Sequence, residues 1–243
     1  MFLCDLHCHS SGISKCCRIP YTQVIDEAKQ AGIQAIVLTN HYRKEDLINS
    51  SSWLDGYIEE YEQAAIYGDS VGIRVYFGVE VTMEFDPRVH LLVYGITPGE
   101  LKEFYDLYDM SLLRLSALCR KNKYALIQAH PFRGGTTVLN TQYLDGIEIN
   151  CHPVYGNTYS AEIIRIAKEN KIAVTCGCDY HGDVPYRPQG GIYLPDTIQT
   201  SKDLAFYLKN TEEFHLQIHE INAENFNRLS VKINRNLNIP NLF

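Results

Sequence analysis

The sequence predicts an α/β fold built mainly on parallel strands, either a closed barrel or a doubly wound open sheet. Three observations carry this expectation. Seven short apolar runs alternate with helical patterns, and no low-complexity linker or internal repeat divides them. Helix-stopping and helix-opening residues, such as Gly32 and Pro20, fall between the runs. Residues able to bind metal close or follow those runs one by one, and a parallel barrel gathers such positions onto one face.

The first strand, Phe2 to His9, alternates in character and is followed by an irregular loop through Ile19. Pro20 opens a helix carrying Val24, Ile25, Ala28 and Ala31, which Gly32 stops. Gln34 to Thr39 is a β-branched run that leads to His41, and Trp53 to Tyr67 reads as a helix with Gly68 near its end. Arg74 to Val81 is the third strand and His90 to Tyr94 the fourth. Gly99 to Asn122 reads as one long amphipathic helix through Leu101, Phe104, Leu112, Leu115 and Leu118. Ala125 to Ala129, Gly146 to Asn150 and Ala173 to Gly177 complete seven strands, with a helix from Ser160 to Asn170 between the last two.

Beyond residue 196 the rhythm changes. Lys202 to Lys209 looks helical, Phe214 to His219 alternates like a strand, and Ala223 to Arg235 reads as a polar amphipathic helix. Residues 196–243 are expected to pack on the outside of a single domain spanning 1–243, with the apolar tail Ile239 to Phe243 docking onto it.

A chain of 243 residues suffices for one large barrel or two small domains, and 45% hydrophobic residues is an ordinary share for a soluble protein. No apolar run approaches the ~18 residues that a membrane span needs. The N-terminus enters the first strand without a basic leader or cleavage site, so a cytoplasmic protein is expected. Of eight cysteines, Cys4, Cys8, Cys151, Cys176 and Cys178 lie in or beside buried strands, where thiols behave as small apolar groups. No tandem Cys-x-x-Cys pattern marks a zinc module. The net charge of −7 disfavours a nucleic-acid partner and leaves room for a small anionic substrate.

Residues i and i+2 of a strand share a face, so His7 and His9 point together, with Asp5 behind them. Two such imidazoles make a natural metal chelate, and taken alone they would serve as well in a core. The other sites shift the balance. The set Asp5-Leu-His-Cys-His9, Thr39-Asn-His41, Gly78-Val-Glu80, His90 to Gly95, Ala129-His-Pro131 and Gly177-Cys-Asp-Tyr-His181 resembles the PHP (polymerase and histidinol phosphatase) family in content and order, from residue 5 to residue 181.

The resemblance implies a distorted seven-stranded TIM-like (β/α) barrel, with two or three divalent ions, commonly zinc, manganese or iron, at the C-terminal ends of the strands. Position by position, it makes His7, His9, Glu80 and Asp179 ligands of a first metal. Glu80 bridges to a second held by His90 and His130, and His41 and His181 hold a third. The chemistry implied is phosphoester hydrolysis: a water between two cations loses its proton near neutral pH, and the same ions steady the phosphate oxygens.

Two departures stand out. Many relatives place a His or Asp after the first strand to complete the third site, whereas this loop reads Ser10-Ser-Gly-Ile-Ser-Lys15-Cys-Cys17-Arg18. Three outcomes are open: an empty or weakened third site, Cys16 or Cys17 as the ligand, or positive charge from Lys15 or Arg18. Asn40 also stands where the family commonly has Asp, and an amide supports a ligand's basicity less than a carboxylate does.

For the substrate, Arg133 is the candidate phosphate clamp, with Arg18 and Arg187 in loops able to close over the same face. A solvated loop position is the alternative for each. His152 is a candidate proton donor to the leaving oxygen, beside the bridging Glu80 as the catalytic carboxylate. His215 and His219 lie far from the motifs and are expected to be exposed; Tyr42, Tyr155, Tyr180 and Tyr186 could line a pocket or simply fill barrel packing. The resulting expectation is hydrolysis of a small phosphomonoester. The alternatives are a nuclease acting on phosphodiesters and a metal-binding regulatory module with weakened catalysis.

Overall fold

The computed structural model describes residues 1–50, 52–155, 159–184, 187–219 and 226–235. Tyr186, the start of the Ala223–Arg235 segment and the Ile239–Phe243 tail lie outside them. In chain order the elements are β1 (Phe2–Cys8), α1 (Tyr21–Gln30), β2 (Ala35–Leu38), β3 (His41–Tyr42), α2 (Lys44–Asn49), α3 (Trp53–Val71), β4 (Arg74–Thr82) and β5 (His90–Tyr94). There follow α4 (Pro98–Glu103), α5 (Leu112–Asn122), β6 (Ala125–Gln128), β7 (Gly146–Asn150), α6 (Ser160–Asn170) and β8 (Ala173–Gly177). The chain then forms β9 (Gly191–Leu194), α7 (Ser201–Asn210), β10 (Glu213–His219) and β11 (Phe226–Lys232).

One hydrogen-bonded path runs β11-β10-β9-β1-β2-β4-β5-β6-β7-β8, with β3 beside β4. The sheet curls into a nearly closed, barrel-like wall. The Asp179 N–H, just past β8, donates to the His7 carbonyl of β1 at 2.7 Å, and Cys8 forms a parallel bridge with Tyr180. Gly177 permits this approach, because a Cβ there would lie 2.4 Å from His7 Cβ. Asp5, fully buried, ties the same seam: its Oδ1 accepts from the His7 and Cys178 N–H groups at 3.1 and 2.9 Å.

Each of the seven expected strands has a counterpart here, but the wall is larger and not uniformly parallel. β5 runs antiparallel to both β4 and β6. His90 therefore reaches the site from the beginning of its strand, not from the end as expected. The added strands are β3, β9, β10 and β11, so part of the 196–243 region extends the sheet instead of packing on its outside. α7 does lie against β4, β5 and β6.

Two element readings are corrected. The expected single helix Gly99–Asn122 is broken into α4 and α5 around a short 3-10 turn at Leu107–Asp109, which buries Leu107. Local caps outcompete continuity: Thr97 and Glu100 form a reciprocal capping box on α4, and Ser111 accepts from Arg114 N–H to start α5 anew. The expected helix over Ala223–Arg235 is instead β11 from Phe226, paired antiparallel with β10 from Phe226↔His219 to Lys232↔Glu213. Of its side chains only Val231 is buried, as befits a charged edge strand.

Candidate metal centre

All eight proposed ligands converge at one end of the wall. His7 and His9 come from the end of β1, His41 from β3, and Glu80 from β4. His90 opens β5, His130 follows β6, and Asp179 and His181 follow β8. Glu80 is the hub and has no exposed surface. Its Oε1 lies 3.2, 2.8 and 3.1 Å from nitrogens of His7, His90 and His130, and its Oε2 lies 2.5 and 3.4 Å from those of His41 and His9. Asp179 Oδ1 sits 2.9 Å from His9 Nε2 and 3.5 Å from His7 Nε2. Backbone strain accompanies the arrangement: His130 and Asp179 both adopt positive φ, at 29° and 50°.

The polar atoms at this focus are short of partners. His7 Nε2, His9 Nε2, His41 Nδ1, Glu80 Oε2 and Asp179 Oδ1 are buried without a well-formed hydrogen bond, despite standing within 2.5–3.5 Å of one another. Lone pairs aimed at a common point, at an unfavourable angle for hydrogen bonding, are what a cation would satisfy. Candidate ligand atoms fall within 4.8 Å of one another in four overlapping groups: His7, His9 and Asp179; His41, Glu80 and His90; His9, His41 and His181; and, toward the rim, His152, His181 and Asp183. The donor set of imidazoles and carboxylates suits zinc, iron or manganese.

Outer contacts fix which imidazole nitrogen faces inward. Glu148 Oε1 lies 2.9 Å from His7 Nδ1, holding a proton there and leaving Nε2 for a metal. His9 Nδ1 is 3.1 Å from Ser14 Oγ, whose hydroxyl donates to Asn40 Oδ1 at 2.8 Å, so His9 serves as the donor and its Nε2 is likewise left free. The Asp179 carbonyl holds His181 Nδ1 at 2.7 Å in the same way. Asn40 has its own logic: its oxygen accepts from Ser14 and from the Ser10 N–H, while its amide nitrogen donates to Ser10 Oγ at 2.9 Å, a bond no ionised Asp could make.

Electrostatics follow from burial and crowding. Burial alone would push His7 down, but the carboxylates of Glu148, Asp179 and Glu80 hold it well above the usual histidine range. Burial likewise opposes a charged His41, which Glu80 nonetheless carries up to about 9. His9 goes the other way, driven well down by burial and by the neighbouring His181 and His41. Although burial disfavours their charge, Glu80 and Asp179 stay well below the usual carboxylate range because imidazoles surround them, with Arg133 added at Asp179. Protons thus do part of the work that a metal does when bound.

Above the focus opens a cleft of about 490 Å³, lined in part by Arg18, Arg43, Arg133, His152, Tyr155 and Cys16. Arg133 reaches Asp179 Oδ2 at 2.5 Å and Asn150 Oδ1 at 2.6 Å and stacks over the Tyr155 ring. Arg18 borders the cleft with a largely exposed side chain, 3.9 Å from Asp183. Arg187 does not join it. Its guanidinium is buried against Asp5 Oδ2 at 2.8 Å, Cys8 Sγ and the Val24 carbonyl, so it braces the barrel seam. Burial lowers His152 to about 4. Its Nδ1 accepts the Val154 N–H at 3.1 Å, which puts the proton of the neutral ring on Nε2, 3.3 Å from Asp183 Oδ2.

The loop after β1 resolves its four ambiguous residues differently. Lys15 pairs with Asp46 at 2.6 Å, and Cys17 is buried with its sulfur toward the His9 and Ile19 carbonyls. Cys16 is exposed at the cleft, against His41 and His181; despite partial burial, hydrogen bonds from those two imidazoles bring its thiol down to about 6. His215 and His219, expected to be exposed, are half-buried on β10. Glu148, Arg43, Asp183 and Ser14 were not anticipated. Glu148 had a usable signal, as an acid inside the apolar run Gly-Ile-Glu-Ile-Asn on the same strand face as Asn150. The other three are ordinary loop residues by sequence.

A barrel-like α/β wall with a buried histidine–carboxylate cluster under an open cleft defines a metal-binding barrel. The PHP domain model matches residues 5–235, and the chain belongs to the PHP family. Among solved structures it is similar to a two-domain protein from Bacteroides vulgatus containing a predicted PHP-like metal-dependent phosphoesterase (TM-score 0.65, 18% identity, 90% of this chain). This chain spans 65% of that protein's length. It is also similar to PsfC from Pseudomonas syringae, with a TM-score of 0.61, 19% identity and coverage of 84% of this chain and 87% of that one. An amidohydrolase from Chromobacterium violaceum, with bound sulfate and no metal, matches with a TM-score of 0.56, 16% identity and coverage of 84% and 95%. No curated protein sequence matches significantly. Among the described residues, no helix is long and apolar enough to cross a membrane.

Proposed function

We propose that this chain hydrolyses a phosphoester, with a small phosphomonoester as the preferred substrate. The observation that carries the reading is the set of five buried, unpartnered ligand atoms meeting directly below a cleft bordered by Arg18, Arg43 and Arg133. Residues His7, His9, Glu80 and Asp179 would hold one divalent ion, Glu80, His90 and His130 a second, and His41 and His181 a third. When bound, such ions activate water and neutralise charge on the phosphoryl oxygens.

The chain's own groups supply the rest. Arg133, fixed by Asp179 and Asn150, presents the edge of its guanidinium to an anion in the cleft. Arg43 and Arg18 add positive charge at the rim. Neutral His152, with its proton on Nε2, donates a hydrogen bond toward the leaving oxygen, and an anion beside it raises its affinity for a second proton. The net charge of −7 and the short reach of three arginines favour a small ligand over a long polyanion.

The test is release of phosphate or phenol from an aryl phosphate and a panel of small phosphomonoesters, with chelated protein reloaded separately with manganese, zinc or iron. Turnover that requires metal and exceeds that on a phosphodiester is expected. A preference for diesters would favour the nuclease reading. Stoichiometric metal without turnover on any ester would leave a regulatory metal-binding module.

A further inference from the structure

We propose that Cys16 is itself a metal ligand, its sulfur completing a position shared with His41 and His181 at the mouth of the cleft. This rests on the metal-centre reading above and adds a donor of different chemistry to it. The geometry selects Cys16 from the residues of its loop. Lys15 is spent on Asp46, the Cys17 sulfur faces backbone carbonyls, and the Arg18 side chain is largely exposed at the rim, by Asp183. Cys16 alone of the loop cysteines is exposed and lines the cleft, together with His41 and His181.

A second observation points to a ligand among the imidazoles beside Cys16. His9, His41 and His181 bring candidate ligand atoms within 4.8 Å of one another. Two of those rings, His9 and His41, are more than nine-tenths buried and carry a nitrogen with no hydrogen-bond partner. The rings close on one another, with His9 at 4.4 Å from His41 and 4.3 Å from His181 between centroids. The rival group of His152, His181 and Asp183 is weaker, because the Val154 N–H occupies His152 Nδ1 and leaves a proton on the other nitrogen.

The consequence is selectivity. A thiolate is a soft donor, so it ranks zinc above manganese at this position, whereas the histidine–carboxylate core accepts either. Coordination breaks the S–H bond, forms a sulfur–metal bond and releases the proton to solvent. No electron transfer is involved.

Cobalt(II) substitution reads the bond directly. The loaded protein should show a near-ultraviolet sulfur-to-cobalt charge-transfer band that persists in Cys17→Ser and disappears in Cys16→Ser, with one zinc ion fewer per chain in the latter. In parallel, iodoacetamide followed by peptide mass analysis should alkylate Cys16 in chelated wild-type protein and spare it after zinc is restored. Should Cys16→Ser fold poorly, the wild-type alkylation and band still decide. A band unchanged in Cys16→Ser, no band in cobalt-loaded wild type, or equal alkylation with and without zinc overturns the proposal. Failure of the phosphoesterase reading is separable: it removes turnover and leaves band and protection intact.

Discussion

Glu80 is the residue on which the centre turns, since each of its oxygens faces imidazoles and none faces water. Replacing it with Gln keeps the shape but converts one acceptor into a donor aimed at nitrogen lone pairs. Glu80→Gln should therefore lose metal as measured by elemental analysis, and lower kcat by roughly 10³-fold or more, the scale expected when pre-organised charge at a reacting centre is removed. Full activity with full metal content would contradict the bridging role. Arg133 acts differently, because a two-pronged guanidinium matches phosphate and a lysine does not. Removing a hydrogen bond to a charged group is worth about 1.5–3 kcal/mol, or roughly 10- to 150-fold. Arg133→Ala should thus lower kcat/KM by that factor, mainly through KM, with Arg133→Lys recovering only part. Unchanged KM in the alanine variant would take the clamp away from Arg133.

At the scale of elements, the seam between β1 and β8 decides whether the ligands meet at all. Asp5 joins His7 N–H, Cys178 N–H and Arg187 there, and the Arg187 and Asp5 side chains are 1% and 0% exposed. Leaving such a charge buried without its partner costs about 3–5 kcal/mol. Arg187→Ala should show that loss in chemical denaturation, along with weaker metal binding, and a change near zero would refute the bracing role. Gly177→Ala strikes the same seam sterically and should cost roughly 1–3 kcal/mol. The ligand positions were legible because residues able to bind metal stand beside short apolar runs and because their motifs resemble the PHP family in content and order. Arg187 was misread because a loop arginine just beyond the last motif looks the same whether it faces a cleft or a buried acid. β11 was misread because an edge strand with one buried side chain shows no alternation, and β9 is only four residues long. The break between α4 and α5 is set by caps at Thr97 and Ser111, which a single apolar stripe through Gly99–Asn122 masks.

For the whole molecule, the centre couples stability to both protons and metal. His41 is raised from 6.5 to about 9, and His7 and His181 are also raised, so the folded, metal-free chain binds more protons at these rings than the unfolded chain does. That contribution is fully present below 6.5 and is lost as pH climbs through about 9. His9 and His130, both lowered, differ from the unfolded chain only where the unfolded rings carry protons, so they weigh at and below about 6.5 and little above it. Cys16, lowered to about 6, pulls the opposite way, but one thiol stands against three imidazoles. The melting temperature of chelated protein should therefore fall between pH 6.5 and 9, whereas protein saturated with zinc should change much less, because the ion replaces the protons. Calorimetry in two buffers of different ionisation enthalpy should show proton release on metal binding at pH 7. A chelated protein equally stable at both ends of the window, together with no proton release, would mean that these rings are not the charges balancing Glu80 and Asp179.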